Sequence, residues 1–227
     1  MRLEDLNWFD VESYLKEDDR LMLIFGACEQ HGYLSLLTDV KIPLALADAA
    51  SKETGVLVAP ALNFGVSPYH LGYPGTISIR VTTLLEIVED IVMSTYGHGF
   101  RRILVLNGHE GNESARGRLY ELANRLPELR LAWYAWWHSN SVEAIAKKHD
   151  LRLSHAGWAE AFPFTIVGEL PQGSKTPPHI PGLLNAKESR QKYGDGVFGG
   201  LYQVDESITQ EIFLAAYHDI IQLLHFE

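Results

Sequence analysis

Two short runs decide what this chain can fold into. Residues 21–25 (LMLIF) and 103–106 (ILVL) are apolar at every position. A strand with one face in water alternates in polarity, whereas a strand buried on both faces does not. These runs therefore read as inner strands of a parallel sheet covered on both sides. Each ends in a glycine turn, Gly26 and Asn107-Gly108, and a helical pattern follows each turn, at 40–54 and 113–126. Further strands are expected at 56–58, 76–80 and 129–137. Further helices are expected at 7–17 with Asp10 as cap, at 84–96, at 140–149, and from 205 or 207 to 225. Residues 155–167 read as partly helical, interrupted by Pro163, and 168–200 as loop. The fold class is α/β: one domain over residues 1–227, with a mostly parallel sheet between helical layers.

The turn after the first run is dense in metal-binding side chains. Glu29 and His31 are two apart, so an extended backbone sends both to one side. Asp39 follows at the start of a helical pattern, where it would serve as a ligand or an N-cap. His109 follows the second run on a Gly108 turn, the position where α/β sheets bind ligands beyond their strand ends. Glu110 is a solvated helix-start acid or a substrate-facing group. The third cluster is His155 with Glu160. Taken singly, each of these is ordinary: a cap, a satisfied histidine, a surface acid. Together they suit divalent metals such as zinc or manganese. Two divalent cations carry +4. Glu29, Asp39 and Glu160 with one bridging hydroxide return −4, and Asp39 is the natural bridge.

Charge narrows the partners. Of 227 residues, 19 are Lys or Arg and 29 are Asp or Glu, for a net charge of −10. This argues against a nucleic-acid backbone or an anionic membrane surface. The single cysteine, Cys28, permits no internal disulfide. With no apolar signal core in the acidic first residues, the expectation is a soluble, cytoplasmic protein. Cys28 alternates out of phase with Glu29 and His31, so it is expected to face the core.

Four motifs in order carry a resemblance. They are Gly26-Ala27-Cys28-Glu29-Gln30-His31-Gly32 with Thr38-Asp39, and His70-Leu71-Gly72-Tyr73-Pro74-Gly75-Thr76. Asn107-Gly108-His109 with Asn112 and His155-Ala156-Gly157 with Glu160 follow. Together they resemble the creatininase (creatinine amidohydrolase) family. That likeness implies a three-layer α/β/α sandwich, two divalent metal ions (zinc, manganese or iron), and a homo-oligomer, commonly a hexamer. It implies Glu29 and His109 on one metal, His31 on the other, and Asp39 bridging. Creatinine-hydrolysing members complete the second site with a glutamate where this chain has Gly111. The resemblance then implies Glu160 as fifth ligand, with Glu110 as fallback. His155 matches the family's proton shuttle, and with Glu160 it is the catalytic candidate. The same members carry a tyrosine and a tryptophan where Glu110 and Leu151 stand here, which argues against creatinine as substrate.

The implied function is binuclear metal-dependent hydrolysis of a non-peptide or cyclic C–N bond of a small molecule by a metal-bridging hydroxide. Alternatives are hydrolysis of a formamide, a sugar derivative or a short peptide, or a non-catalytic metal-binding subunit. A thiol hydrolase using Cys28 with His31 or His109 is a further alternative. His70 and Glu110 are expected to face substrate, His70 at the site mouth.

Overall fold

The computed structural model describes residues 1–180 and 182–227. Its centre is a four-stranded parallel sheet made of Arg20–Phe25 (β1), Leu57–Val58 (β2), Arg102–Asn107 (β3) and Arg130–Ala135 (β4), in the order β2-β1-β3-β4. Helices Trp8–Tyr14 (α1), Thr38–Thr54 (α2), Val81–His98 (α3), Ala115–Arg125 (α4), Asn140–Lys148 (α5), Ala186–Tyr193 (α6) and Glu206–Leu223 (α7) surround it. Ser174–Lys175 (β5) and Gly200–Leu201 (β6) form a small antiparallel pair.

The apolar runs bury both faces, and the two-residue period of a strand divides them. Met22, Ile24, Leu104 and Leu106 pack with Ile42 and Leu46 of α2 and Ile212 and Ile220 of α7. Leu21, Leu23, Phe25, Ile103 and Val105 pack with Leu84 and Val88 of α3 and Leu119 and Leu122 of α4. Each such side chain contributes about 1.5–3 kcal/mol when fully buried. The result is the expected α/β/α layering. Among the described residues no helix is long and apolar enough to cross a membrane.

Several local expectations change. Asn7, not Asp10, caps α1, and Asp10 is the return partner of that capping box. Helix α2 begins at Thr38, so Asp39 lies inside its first turn rather than capping it. Residues 76–80 form only isolated bridges, Cys28 to Ile77 and Gly65 to Ser78. Residues 155–167 contain one 3-10 turn, Trp158–Glu160. The 168–200 stretch carries α6 and β5. Its Asn185 and Glu188 form a capping box, a signal legible in the sequence.

Candidate metal centre

In the strand order β2-β1-β3-β4 the chain leaves β1 and β3 toward opposite edges, and their carboxyl ends open the crevice typical of such sheets. The first turn of α2 is wedged into that crevice. A Cβ on Gly26 would stand 2.8 Å from the Asp39 carbonyl oxygen. A Cβ on Gly108 would stand 2.8 Å from both the Asp39 carbonyl carbon and Pro43 Cγ. Pro43, four residues after Asp39, has no N–H to return a helical bond to that carbonyl. Asn112 ties the loops together, donating to Gly26 O (3.1 Å) and accepting from Val66 N–H (3.3 Å).

Glu29, His31, Asp39 and His109 are all buried. His109 Nδ1 lies 3.0 Å from Asp39 Oδ2 and 3.5 Å from Glu29 Oε1. His31 Nε2 lies 2.9 Å from Asp39 Oδ1 and 3.9 Å from Glu160 Oε2. The opposite ring nitrogens face carbonyls: His31 Nδ1–H donates to Glu29 O (3.1 Å) and His109 Nε2–H to Val66 O (3.0 Å). A carbonyl only accepts, so these bonds set the tautomers and leave His31 Nε2 and His109 Nδ1 with lone pairs toward the centre. Glu29 Oε2, His31 Nε2 and Asp39 Oδ2 have no aligned hydrogen-bond partner although buried. Their close neighbours, His70 Nδ1, Asp39 Oδ1 and His109 Nδ1 respectively, are misaligned. Buried polar atoms without partners are costly, so the donor set calls for a cation.

The electrostatics agree. Burial opposes ionisation of Glu29, but His109 and His70 outweigh it and hold its carboxyl at about 2. Asp39 is likewise held at about 2, burial being outweighed by His31 and His109. Burial opposes charging His31, yet Asp39 pushes it to about 10. Against the same opposition, Glu29 and Asp39 push His109 to about 9. Without metal, protons on two imidazoles take the place of cations.

The third segment closes the site. Glu160 Oε2 accepts from the Ala156 N–H (2.6 Å), and Ala156 holds a left-handed φ of 57° to present it. Burial raises the Glu160 carboxyl to about 7. His155 Nδ1 stands 3.8 Å from Glu29 Oε1. Burial, with His31 adding to it, holds His155 well below its usual range and therefore neutral. Its Nε2 meets Gln30 twice, at the backbone carbonyl (3.2 Å) and the side-chain amide (3.0 Å).

A family model described as "Creatininase: Creatinine amidohydrolase" matches residues 4–224. The chain belongs to the creatininase family. Creatinine amidohydrolase of Pseudomonas putida is 35% identical over 135 residues, 56% of this chain and 51% of its own length. The 3-dehydro-scyllo-inosose hydrolase of Thermotoga maritima is 28% identical over 101 residues, 44% and 32% of the two chains. The matched chain thus spans about half the length of these curated relatives, or less. A solved creatininase variant superposes with a TM-score of 0.85 at 21% identity, covering 99% of this chain and 97% of that one. Zn–Zn and manganese creatininases give 0.83 and 0.82. At such identities the likeness establishes the fold.

As this chain packs, Gly111 admits no side chain. A Cβ there would overlap the Val66 carbonyl oxygen and stand 2.5 Å from His109 Nε2. Among the described residues the donor groups are Glu29–Asp39–His109, His31–His155–Glu160 and Glu29–His70–His155. Glu110 belongs to none of them. It is exposed on the wall of a cavity of about 310 Å³ above the donors. His70 is not at the mouth as expected: it is fully buried behind the site, its Nδ1 3.0 Å from Glu29 Oε2. Cys28 does not face the core. Half-buried, it reaches Gly75 O at 3.4 Å, and burial raises its thiol, which removes the thiol-hydrolase alternative.

Sequence reasoning missed Gln30 and Phe198. The Gln30 amide is oriented by the Gly32 N–H (3.1 Å) and donates to Gly196 O (3.0 Å). Phe198 lies 4.6 Å from the His155 ring, centroid to centroid. Lys175 of β5 pins this turn by donating to Tyr193 O, Asp195 Oδ1 and Val197 O. The alternation Glu29-Gln30-His31 hinted only that Gln30 points away from its neighbours.

Proposed function

We propose that this protein is a binuclear metal-dependent amidohydrolase that cleaves a C–N bond of a small molecule. The observation that carries the reading is the convergence of Glu29, Asp39 and His109, from two strand-end loops, with His31 and Glu160 beside them. Glu29 and His109 would hold one ion, His31 and Glu160 the other, with Asp39 between them. Zinc, manganese or iron fits this oxygen and imidazole set. When bound, such a pair polarises a carbonyl and supplies a nucleophile at neutral pH.

The protein's own residues do the rest. The neutral His155 ring is held at Nε2 by Gln30, which meets it with a carbonyl and an amide, and it lines the cavity with Nδ1 nearest Glu29. The ring takes a proton as the nucleophile attacks and returns it to the departing nitrogen. Ala156 N–H holds Glu160 beside His31. His70, buried against Glu29, orients that carboxylate. Phe198 and Tyr69 wall the cavity and exclude water from one side.

The reading extends to one domain over residues 1–227, a homo-oligomer and a cytoplasmic location, by likeness to the family. The test is metal content and turnover on a panel of small amides. Two ions per protomer, activity lost with chelation, and loss of both ions in Asp39→Ala are expected. Full metal occupancy in Asp39→Ala would overturn the assignment.

A further inference from the structure

The cavity above the donors has an uneven chemistry. No Lys or Arg side chain lines it among the described residues. Its apolar walls are mostly aromatic, Tyr69, Trp136, Trp137 and Phe198, with Leu153 and Ala159 between them. Its one carboxylate outside the donor groups is Glu110. The neighbouring acid Glu113 is paired with Arg116 at 3.2 Å, whereas Glu110 meets no cation among the described residues. The count that closes at neutrality over Glu29, Asp39, Glu160, one hydroxide and two divalent ions leaves Glu110 as one surplus negative charge. Aromatic faces and a free carboxylate both favour an organic cation. An anion would find neither a guanidinium nor an ammonium group on these walls.

We infer that the substrate is a small amide carrying a positively charged amino group, and that Glu110, with the aromatic walls, is the subsite for that charge. The inference rests on the amidohydrolase reading and names its substrate class. The backbone turn at Gly108 brings this recognition group beside the donors: His109 points to the centre, and Glu110, the next residue, points to the cavity. Because Glu110 is exposed, solvent and salt weaken its pull. The preference expected is about tenfold rather than thousands, and it shrinks as ionic strength rises.

The test is calorimetric titration of the metal-loaded protein with three probes of similar size. They are 4-aminobutanamide, which is cationic, pentanamide, which is neutral, and succinamate, which is anionic. Hydrolysis of each is followed in parallel. The cationic probe is expected to bind about tenfold tighter than the neutral one, and the anion most weakly. Glu110→Gln should bring the first two to within about twofold of each other, and Glu110→Lys should turn the preference toward succinamate. Equal or tighter binding of pentanamide would overturn the inference. So would failure of the cationic probe to bind at millimolar concentration, or a preference untouched by both variants. The two readings fail separately. Pentanamide hydrolysis without cation preference ends the substrate class alone. Cation-selective binding without hydrolysis of any amide ends the amidohydrolase reading, and with it the amide substrate, and leaves the cation subsite at Glu110 standing.

Discussion

Gly108→Ala puts the architecture of the site to a quantitative test. The added Cβ would stand 2.8 Å from the Asp39 carbonyl carbon and 2.8 Å from Pro43 Cγ, with the carbonyl oxygen nearer still. Ordinary contact begins near 3.4 Å, so the first turn of α2 must retreat by at least 0.6 Å, the difference between those distances. Metal sites tolerate donor displacements of only about 0.2 Å. Asp39 would carry its carboxylate away from His31 and His109, now 2.9 and 3.0 Å distant. A loss of metal affinity of at least about 10–100-fold follows. Overpacking of this kind also costs about 1–3 kcal/mol of stability. For a chain of this size that lowers Tm by roughly 2–12 °C. Metal per protomer after desalting, by plasma emission, reads the first effect, and a circular-dichroism melt reads the second. Gly117→Ala in α4 is the control. Its Cβ meets nothing within 4 Å, and alanine should stabilise the helix by about 0.5–1 kcal/mol. A Gly108→Ala protein with full metal content and an unchanged Tm would refute the wedge.

Four further outcomes are expected. In the metal-free protein at pH 7, His31 (about 10) and His109 (about 9) carry protons that metal must displace. Loading should therefore release at least two protons, since Glu160 at about 7 and a bound hydroxide add to the imidazoles, and apparent affinity should rise with pH toward 9–10. Titration calorimetry in buffers of different ionisation enthalpy reads the number, and zero release would show that the metal-free imidazoles carry no extra protons. The same raised values mean that the imidazoles stabilise the metal-free fold fully below about pH 6.5. That contribution is lost as pH rises through 9 to 10, so the metal-free Tm should fall there while the loaded Tm does not. Cys28→Ala should keep turnover within about twofold, since the half-buried thiol faces Gly75 O and is raised by that burial, which leaves little thiolate. Gln30→Met strands the Gly196 carbonyl and the Gly32 N–H, which costs about 1–3 kcal/mol. It should lower kcat through His155 while metal content holds. Unchanged kcat would show that Gln30 does not position His155.

The sequence by itself determined the layers. Apolar runs of four or five residues bounded by glycine turns are too short for helices and read as strands covered on both faces, and the helical patterns between them supply the covers. The glycine turns after 21–25 and 103–106 also placed Glu29, His31 and His109 just beyond strand ends, because strand direction and side-chain period are local properties. Only the tertiary structure decided the rest. It buries His70 behind Glu29, leaves Glu110 on the cavity wall, and brings Gln30 against His155 from 125 positions away. It also closes Gly111 to any side chain by setting Val66 against it. These outcomes depend on which surfaces meet when separate loops pack together, and no short window of residues encodes the distance between two loops.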